Sequence, residues 1–189
     1  VTASFEVSTE KARILSIEAG IKINVVPGKA HATITGLTEE EVRPMAEGVT
    51  KETGVQFELQ AEEDAIVITA VGEGAHASTP EEGKNALASL LLLLDRLPFA
   101  PCGQTKLIHS LTECFPWNDT EGKALGVAMQ AEGSGALSLA FTMLTMTETR
   151  MEAYFDGRFP IGGNDDNLLK PVEAKLASHG MKLESPQLR

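Results

Sequence analysis

Cysteine and paired histidines, from which zinc sites and many catalytic centres are built, are scarce in this sequence. The chain has two cysteines, Cys102 and Cys114, and their separation matches no zinc-binding spacing, so we expect two reduced thiols. No two histidines stand at the spacing of metal ligands on a helix. Phosphate-binding glycine loops and the GxSxG turn of serine hydrolases are missing as well. The sequence therefore predicts no complete active site within this chain. The four histidines are His31, His76, His109 and His179.

Basic residues and long apolar runs are also few. The formal net charge is −11, which argues against nucleic acid or an anionic membrane as a partner, because both select for basic surfaces. The apolar run at 90–94 is far too short to span a bilayer. With 42% apolar and 23% charged residues, the composition is that of a globular protein. No signal peptide opens the chain, which begins with valine, so we expect a sequence that belongs to a longer one.

The first strong helix signal covers residues 37–54. Thr38 and Glu41 have the spacing of a capping box, in which each side chain accepts a hydrogen bond from the other residue's backbone. Apolar residues follow at helical spacing, and Gly54 can end the helix in a left-handed conformation. We therefore expect an amphipathic helix with one face in the core.

A second helix is predicted from Thr79 to about Leu97. Thr79 is a suitable N-cap, Pro80 fits the first helical position, and Glu82 completes a capping box. The C-terminal half of this helix is leucine on every side, so we expect another layer of the protein to cover it.

The remaining segments alternate between strand and helix patterns. β-branched residues with partial alternation predict several strands, among them a hairpin that turns near 147–149. The predicted strands are 12–26, 29–36, 55–60, 65–72, the hairpin 136–160, and 181–185. Further helices are predicted at 104–115 and 167–180, with a glycine-punctuated connection at 118–135.

Two stretches of the sequence resemble each other. Residues 42–59 and 169–185 each contain a basic residue followed by proline, then a helix pattern, a glycine and a strand pattern. This is either a coincidence or a true repeat. A true repeat predicts an α+β fold of two related halves, about 1–100 and 101–189, with mostly antiparallel sheets covered by helices on one face. We expect those sheets to be continuous or to meet edge to edge.

His76 stands between two alanines in "GEGAHASTPEEGKNA" (72–86). A single histidine usually has a structural role, here at the end of a strand with hydrogen bonds to the backbone. Ala75 and Ala77 are small enough to let a ligand approach the ring, and this favours a functional role.

Two further polar residues have local alternatives of the same kind. Asn24 precedes "VVPG" and can serve as a turn asparagine that bonds its own backbone. Arg158, in "DGRFP", can pair at the surface with Asp156 or Asp165, which would contribute little to stability. The segment "GGNDDN" (162–167) lacks the spacing of a calcium loop and is typical of a solvated turn before a helix.

Three stretches together resemble one part of the di-zinc aminopeptidase/carboxypeptidase superfamily. They are "NVVPGKAHATITG", "GEGAHASTPEEGKNA" and "EAYFDGRFPIGGN", in that order and at suitable spacing. The superfamily includes peptidase V (the Xaa-His dipeptidases), carnosinases, aminoacylases and succinyl-diaminopimelate desuccinylase. The matching part is the lid, or dimerisation, domain that interrupts the catalytic domain. The length is similar to the peptidase V branch, whose lid is about twice the size of the simple domain and imitates its dimer.

The resemblance implies a fold and a division of labour. It implies ferredoxin-like halves of the peptidase dimerisation-domain type. It also implies two zinc ions that are bound by a flanking catalytic domain absent from this sequence. The 189 residues would then be a lid domain that is inactive and free of metal on its own.

The same resemblance implies a role for each polar candidate. The lid histidine of the family, matched by His76, donates a hydrogen bond to the oxyanion of the tetrahedral intermediate. The asparagine matched by Asn24 contacts the substrate near its C-terminal part. The arginine matched by Arg158 holds the terminal carboxylate of the substrate with its planar fork. One position departs from the family pattern: Gly157 replaces a strand-forming residue, and a glycine there can mark a bulge that changes the aim of Arg158.

We therefore expect the lid of a zinc-dependent dipeptidase that hydrolyses unblocked dipeptides in the cytoplasm, with its own catalytic domain and the dipeptide as partners. On this hypothesis Asn24, His76 and Arg158 converge on one face. The alternatives are the lid of an aminoacylase or desuccinylase and, from another class, a stand-alone α+β binding or oligomerisation module that pairs through exposed sheet edges.

Overall fold

The computed structural model describes residues 1–184, in which strands and helices alternate along the chain. The four α-helices of this part are α1 (Glu39–Thr53), α2 (Ala86–Arg96), α3 (Gly103–Cys114) and α4 (Lys170–Ser178). The strands are β1 (Thr2–Ser4), β2 (Arg13–Ala19), β3 (Val25–Val26), β4 (Lys29–Thr35), β5 (Gln56–Ala61), β6 (Ile66–Val71), β7 (Ala75–His76), β8 (Gln130–Ala131), β9 (Gly135–Ala136), β10 (Ser138–Met146) and β11 (Arg150–Arg158). None of these helices is long and apolar enough to cross a bilayer.

Seven of the strands form one sheet with the order β1-β11-β10-β2-β4-β6-β5. Every neighbouring pair in it is antiparallel. The predicted α+β class with a mostly antiparallel sheet is confirmed. Two short ribbons, β3–β7 and β8–β9, stand outside the sheet.

The leucine-rich helix α2 lies at the centre of the helical layer. It packs on β4, β6 and β10, and α1 and α3 pack against it. Its buried leucines each contribute about 1.5–3 kcal/mol through removal of apolar surface from water. The predicted covering layer is therefore confirmed. These leucines are Leu87, Leu90, Leu91, Leu93 and Leu94.

The two faces of the sheet differ in burial. Along β6, buried residues alternate with half-buried ones, which is the pattern of a strand covered on one face only. The buried set includes Ile66 and Ile68, and it belongs to the same core as the α2 leucines. On the opposite face of the sheet His31 Nδ1 lies 3.1 Å from Thr69 Oγ1, and His31 is exposed.

Helix α1 begins and ends where the sequence predicts. Thr38 and Glu41 form both hydrogen bonds of the capping box. Gly54 ends the helix with a φ of 78°, a left-handed conformation that glycine adopts without steric penalty. The prediction for 37–54 is confirmed at both ends.

The prediction of a continuous helix from Thr79 is wrong at its start. Residues Pro80–Glu82 make a single 3₁₀ turn, and the side chain of Thr79 caps no backbone N–H. The helix proper begins after Asn85, whose Oδ1 accepts a hydrogen bond from Ala88 N at 3.1 Å. The interactions that delay the helix are long-range, because the backbone at 84 pairs with residue 73 instead of continuing a helix.

Two strand predictions also change in detail. The predicted strand 12–26 is two strands, β2 and β3, separated by a turn in which Val25 N donates to Lys22 O. In the predicted strand 181–185, Lys182 forms only an isolated antiparallel bridge with Thr2, and residue 185 lies outside the described residues. The hairpin prediction is confirmed as β10 and β11.

The two similar stretches 42–59 and 169–185 have a comparable local course. Gly54 and Gly180 follow α1 and α4 with φ values of 78° and 74°. After Gly54 the chain forms β5 at one edge of the sheet, and after Gly180 it bridges to β1 at the other edge. The division into two related, ferredoxin-like halves near residue 100 stays a prediction.

Candidate functional site

The short ribbon β3–β7 brings two of the three candidate residues together. Val25 is the register partner of His76 in this antiparallel pair. The N–H of Ala77 donates to the carbonyl of Asn24 at 2.9 Å. Asn24, directly before β3, and His76, in β7, are therefore neighbours although they are distant in sequence. Asn24 is half-buried, His76 is exposed, and the side-chain amide of Asn24 makes no hydrogen bond within residues 1–184.

The ribbon is held by a backbone clamp between residues 73 and 84. Glu73 N donates to Lys84 O at 3.0 Å, and Lys84 N donates to Glu73 O at 2.8 Å. Lys84 Nζ also lies 3.2 Å from a carboxylate oxygen of Glu73. A Cβ at Gly72 would stand 2.1 Å from Lys84 O, so only glycine permits this approach. The pairing of residues 73 and 84 thus closes the loop that carries His76.

Asn85 connects this loop to the central helix and to β10. Besides capping α2, it donates from Nδ2 to the carbonyl of Phe141 at 2.8 Å. That carbonyl is available because β10 pairs with β2 only through Leu144–Met146. Sequence reasoning missed Asn85, although an asparagine directly before an apolar helical run is a recognisable N-cap signal.

The imidazole of His76 is fixed by Ser78. The backbone N–H of Ser78 donates to His76 Nδ1 at 3.1 Å, and Ser78 Oγ lies 2.7 Å from the same nitrogen. A backbone N–H can only donate, so Nδ1 acts as an acceptor and carries no proton. The neutral ring is therefore protonated at Nε2, to which no group in the described part of the chain bonds. This arrangement presents one free N–H donor toward solvent.

Arg158 ends strand β11 in a regular ladder. It pairs with Ser138, and Gly157 pairs with Leu139. The bulge of this ladder lies between Phe141 and Met143, so the suggestion that Gly157 marks a bulge is wrong. A Cβ at Gly157 would make ordinary contacts, at 3.5 Å from Leu139 Cδ1.

Within residues 1–184 the guanidinium of Arg158 has one charged neighbour. Its Nη2 lies 3.5 Å from Asp156 Oδ2, and the two side chains are 49% and 19% exposed. This is one of the two surface pairs that the sequence allowed. Among residues 1–184 no acceptor takes a hydrogen bond from its other N–H groups, so the fork remains open to an anionic ligand.

Arg158 lies on the side of the sheet that the ribbon covers. Val26 and Ala77 of the ribbon segments pack with Ala140 of β10 in a small buried cluster. Ala140 is the register partner of Asp156. Paired residues and residues two apart share one face of an antiparallel ladder, so Ala140, Asp156 and Arg158 project to the same side. No hydrogen bond or ion pair joins Arg158 to Asn24 or His76.

The described residues contain no metal-binding cluster. Within residues 1–184 no group of three or more His, Cys, Asp or Glu side chains could hold a metal ion. Burial raises the pKa of the Cys114 thiol to about 11, so this sulfur is protonated at neutral pH and is a poor ligand. The site therefore offers hydrogen-bond donors and one cation, which suits recognition of anionic oxygen.

Comparison with known proteins gives two informative similarities. Over 164 residues the chain is 34% identical to "Beta-Ala-Xaa dipeptidase" of Lactobacillus delbrueckii subsp. lactis, covering 85% of this chain and 34% of that protein. Over 129 residues it is 30% identical to "Putative dipeptidase YtjP" of Bacillus subtilis (strain 168), covering 68% of this chain and 27% of that protein. No protein-family model matches the chain.

The chain spans about a third or less of the length of these curated relatives. The similarity nevertheless extends over most of this chain. It relates the chain to one segment of proteins named as dipeptidases and so, at family level, to hydrolases.

Proposed function

We propose that this chain is the lid domain of a zinc-dependent dipeptidase of the peptidase V type, acting on unblocked dipeptides in the cytoplasm. The lid would close over the active site of a separate catalytic domain in the same protein and exclude water from it. Its own contribution would be to hold the substrate C-terminus and to stabilise the tetrahedral intermediate.

The observation that carries this proposal is the free Nε2–H of His76 beside Asn24. An oxyanion develops only as the scissile carbonyl is attacked, so a fixed donor aimed at that oxygen favours the transition state over the substrate. His76 supplies such a donor in its neutral form. Asn24, in the turn directly before β3, would contact the same substrate.

Arg158 fits the role of carboxylate anchor. Its guanidinium is half exposed and, in the part of the chain that the structure describes, has a single carboxylate neighbour, Asp156, at 3.5 Å. A substrate carboxylate can therefore bind its open N–H groups in the bidentate manner that arginine favours. Asp156 would limit the affinity of this site for anions and orient the guanidinium.

The residues of this chain do not fit a resident zinc site, since no cluster of ligands occurs in the described part. Zinc would be bound by the catalytic domain and would supply Lewis-acid activation of the attacking water. We accordingly expect the 189-residue chain alone to hydrolyse no dipeptide and to bind no stoichiometric zinc. A tight zinc site found by calorimetry in this chain would contradict the division of roles.

The decisive experiment replaces His76 in the full-length protein that contains this segment. His76→Ala should lower kcat for a dipeptide by about 10²-fold or more, as loss of an oxyanion donor does, with zinc content and folding unchanged. His31→Ala is the matched control, because His31 is another exposed histidine bonded to a hydroxyl side chain, and it belongs to β4 and not to the ribbon. Unchanged kcat in the His76 variant would overturn the proposal.

The choice of substrate separates the alternatives within the superfamily. An aminoacylase or desuccinylase lid predicts hydrolysis of N-acyl amino acids in preference to unblocked dipeptides by the full-length protein. The names of both relatives favour the dipeptide. A stand-alone binding module predicts instead that no catalytic domain accompanies this segment and that His76 has no kinetic effect.

A further inference from the structure

The contacts of His76 differ in kind from those of His31 and His179, the two other histidines with a hydroxyl partner among the described residues. His76 Nδ1 receives two contacts from one residue, Ser78 N at 3.1 Å and Ser78 Oγ at 2.7 Å. His31 Nδ1 has one contact, Thr69 Oγ1 at 3.1 Å. A hydroxyl can donate or accept, so Thr69 accommodates either tautomer of His31. The backbone N–H of Ser78 accommodates only one.

The consequence for His76 follows from the bonding capacity of the ring. A neutral imidazole has one N–H and one acceptor nitrogen, and the acceptor here is Nδ1. With Nδ1 unprotonated, the Ser78 hydroxyl also donates to it. Both contacts therefore stabilise the Nε2–H tautomer and oppose a proton on Nδ1.

The surroundings keep Ser78 in position to do this. Ala77 N is bonded to Asn24 O, and Thr79 N donates to His76 O at 3.0 Å. These bonds hold the residues on both sides of Ser78, and Ala77 is fully buried. The tight turn thus places the N–H and the hydroxyl of Ser78 beside the ring.

We propose that Ser78 is a positioning residue, which fixes the tautomer and the orientation of His76 so that Nε2–H faces outward. Its importance for catalysis rests on the proposed function, whereas the tautomer itself does not. An oxyanion donor must carry its proton on the nitrogen that faces the substrate. A ring protonated at Nδ1 would present a lone pair there and repel the developing negative charge.

The tautomer can be measured in this chain by long-range ¹H–¹⁵N NMR, because protonated and unprotonated ring nitrogens have well-separated shifts. Wild-type His76 should be predominantly protonated at Nε2 when neutral. Ser78→Ala should raise the fraction protonated at Nδ1 by about fivefold, the size expected for loss of one ordinary hydrogen bond. Ser78→Thr, which keeps the hydroxyl, should restore the wild-type pattern.

His31 provides the internal control in the same spectra. Its signals should be unchanged in both Ser78 variants, which also shows that the sheet remains folded. Thr69→Ala should alter the His31 signals and leave those of His76 unchanged. A wild-type His76 protonated at Nδ1, or a tautomer ratio that Ser78→Ala does not alter, would overturn the role of Ser78.

Kinetics of the full-length protein then separate this inference from the proposed function. Ser78→Ala should lower kcat about twofold or more with little change in KM, because both the tautomer and the orientation of the ring are less well fixed, and Ser78→Thr should recover it. If His76→Ala abolishes activity while Ser78→Ala leaves kcat at the wild-type value, the positioning role fails and the lid function stands. If His76→Ala has no kinetic effect, the proposed function fails whatever the tautomer shows.

Discussion

Asn85 and Phe141 are joined by a hydrogen bond of 2.8 Å, from the side-chain amide of the first to the backbone carbonyl of the second. The same asparagine caps the leucine-rich helix α2 through its Oδ1. The side chain of Asn85 therefore links helix α2, at the end of the loop that carries His76, to strand β10. Strand β10 in turn pairs with β11, which carries Arg158.

Replacement of Asn85 should be strongly destabilising for a residue that is not fully buried. Asn85→Ala removes an N-cap, which is worth about 0.5–2 kcal/mol, and leaves the Phe141 carbonyl without its partner, which costs about 1–3 kcal/mol. We expect the free energy of unfolding to fall by about 2–4 kcal/mol in urea titrations, with an unchanged m-value.

A matched variant separates the two contributions. Asn85→Ser retains a capping oxygen but is too short to reach Phe141, so it should lose less stability than Asn85→Ala. Equal losses in the two variants would show that the cap contributes nothing. A loss below about 0.5 kcal/mol in both would show that the link to β10 has no energetic role.

Gly72 and Gly48 should respond oppositely to the same substitution. A Cβ at Gly72 would stand 2.1 Å from Lys84 O, so Gly72→Ala must separate the clamp between residues 73 and 84 and should destabilise by about 1–3 kcal/mol. Gly48 lies within α1 with nothing within 4 Å of its Cβ position. Gly48→Ala should therefore stabilise the protein by about 0.5–1 kcal/mol.

Thermal or urea unfolding of the two glycine variants tests this pair. A destabilised Gly48→Ala protein would mean that the α1 surface is covered by something else in solution. A neutral Gly72→Ala protein would mean that the clamp is looser than its hydrogen-bond distances indicate.

His109 makes the stability of the helical layer depend on pH. Its Nδ1 lies 3.0 Å from Asp95 of α2 and its Nε2 lies 3.1 Å from Glu113 of α3. The hydrogen bond that the ring donates to the Asp95 carboxylate, followed by the charges of Asp95 and Glu113, raises the pKa of His109 above its ordinary value of 6.5. The ring is 58% exposed, so the effect is screened and should weaken with added salt.

The sign of this pH dependence follows from the raised pKa. The stabilisation is fully present below the unfolded pKa of about 6.5 and is lost as the pH rises through the folded pKa. Urea midpoints of wild type should therefore decline relative to His109→Gln between about pH 6 and pH 9. Asp95→Asn should remove most of the difference. A gap between wild type and His109→Gln that is constant over this range would contradict the assignment.

Local signals in the sequence predicted those parts of the fold that depend on neighbouring residues. The capping box at Thr38, the C-terminal Gly54 and the β10–β11 hairpin all involve partners close in the chain. The burial of the α2 leucines was predictable because leucine occurs on every side of that helix. The same is true of the α+β class, which follows from the alternation of these patterns.

Long-range partners decided the features that the sequence did not reveal. Thr79 and Pro80 have a strong helix-start pattern, but the pairing of residues 73 and 84 and the bond to Phe141 shift the cap to Asn85. The insertion of β10 between β2 and β11 likewise has no local signature. The nearness of Asn24 and His76 depends on register between two-residue strands, which no pattern in either segment specifies.

Arg158 should determine whether the full-length enzyme requires a free substrate C-terminus. Arg158→Lys keeps the positive charge but loses the planar fork that binds a carboxylate through two hydrogen bonds. We expect KM for a dipeptide to rise about tenfold with a smaller change in kcat, since hydrogen bonds to charged groups are worth about 1.5–3 kcal/mol. The value of kcat/KM for the C-terminal amide should change much less. The preference of the enzyme for the free acid should therefore shrink.

Arg150 offers the matched control for this experiment. It lies at the opposite end of β11, is exposed, and has a comparable carboxylate neighbour, with Nη2 at 3.9 Å from Glu152 Oε2. Arg150→Lys should leave the ratio of kcat/KM for acid and amide at the wild-type value, because Arg150 lies away from the ribbon that carries His76. If Arg158→Lys also leaves that ratio unchanged, the ion pair with Asp156 is only a surface pair. The substrate carboxylate must then be bound by another group.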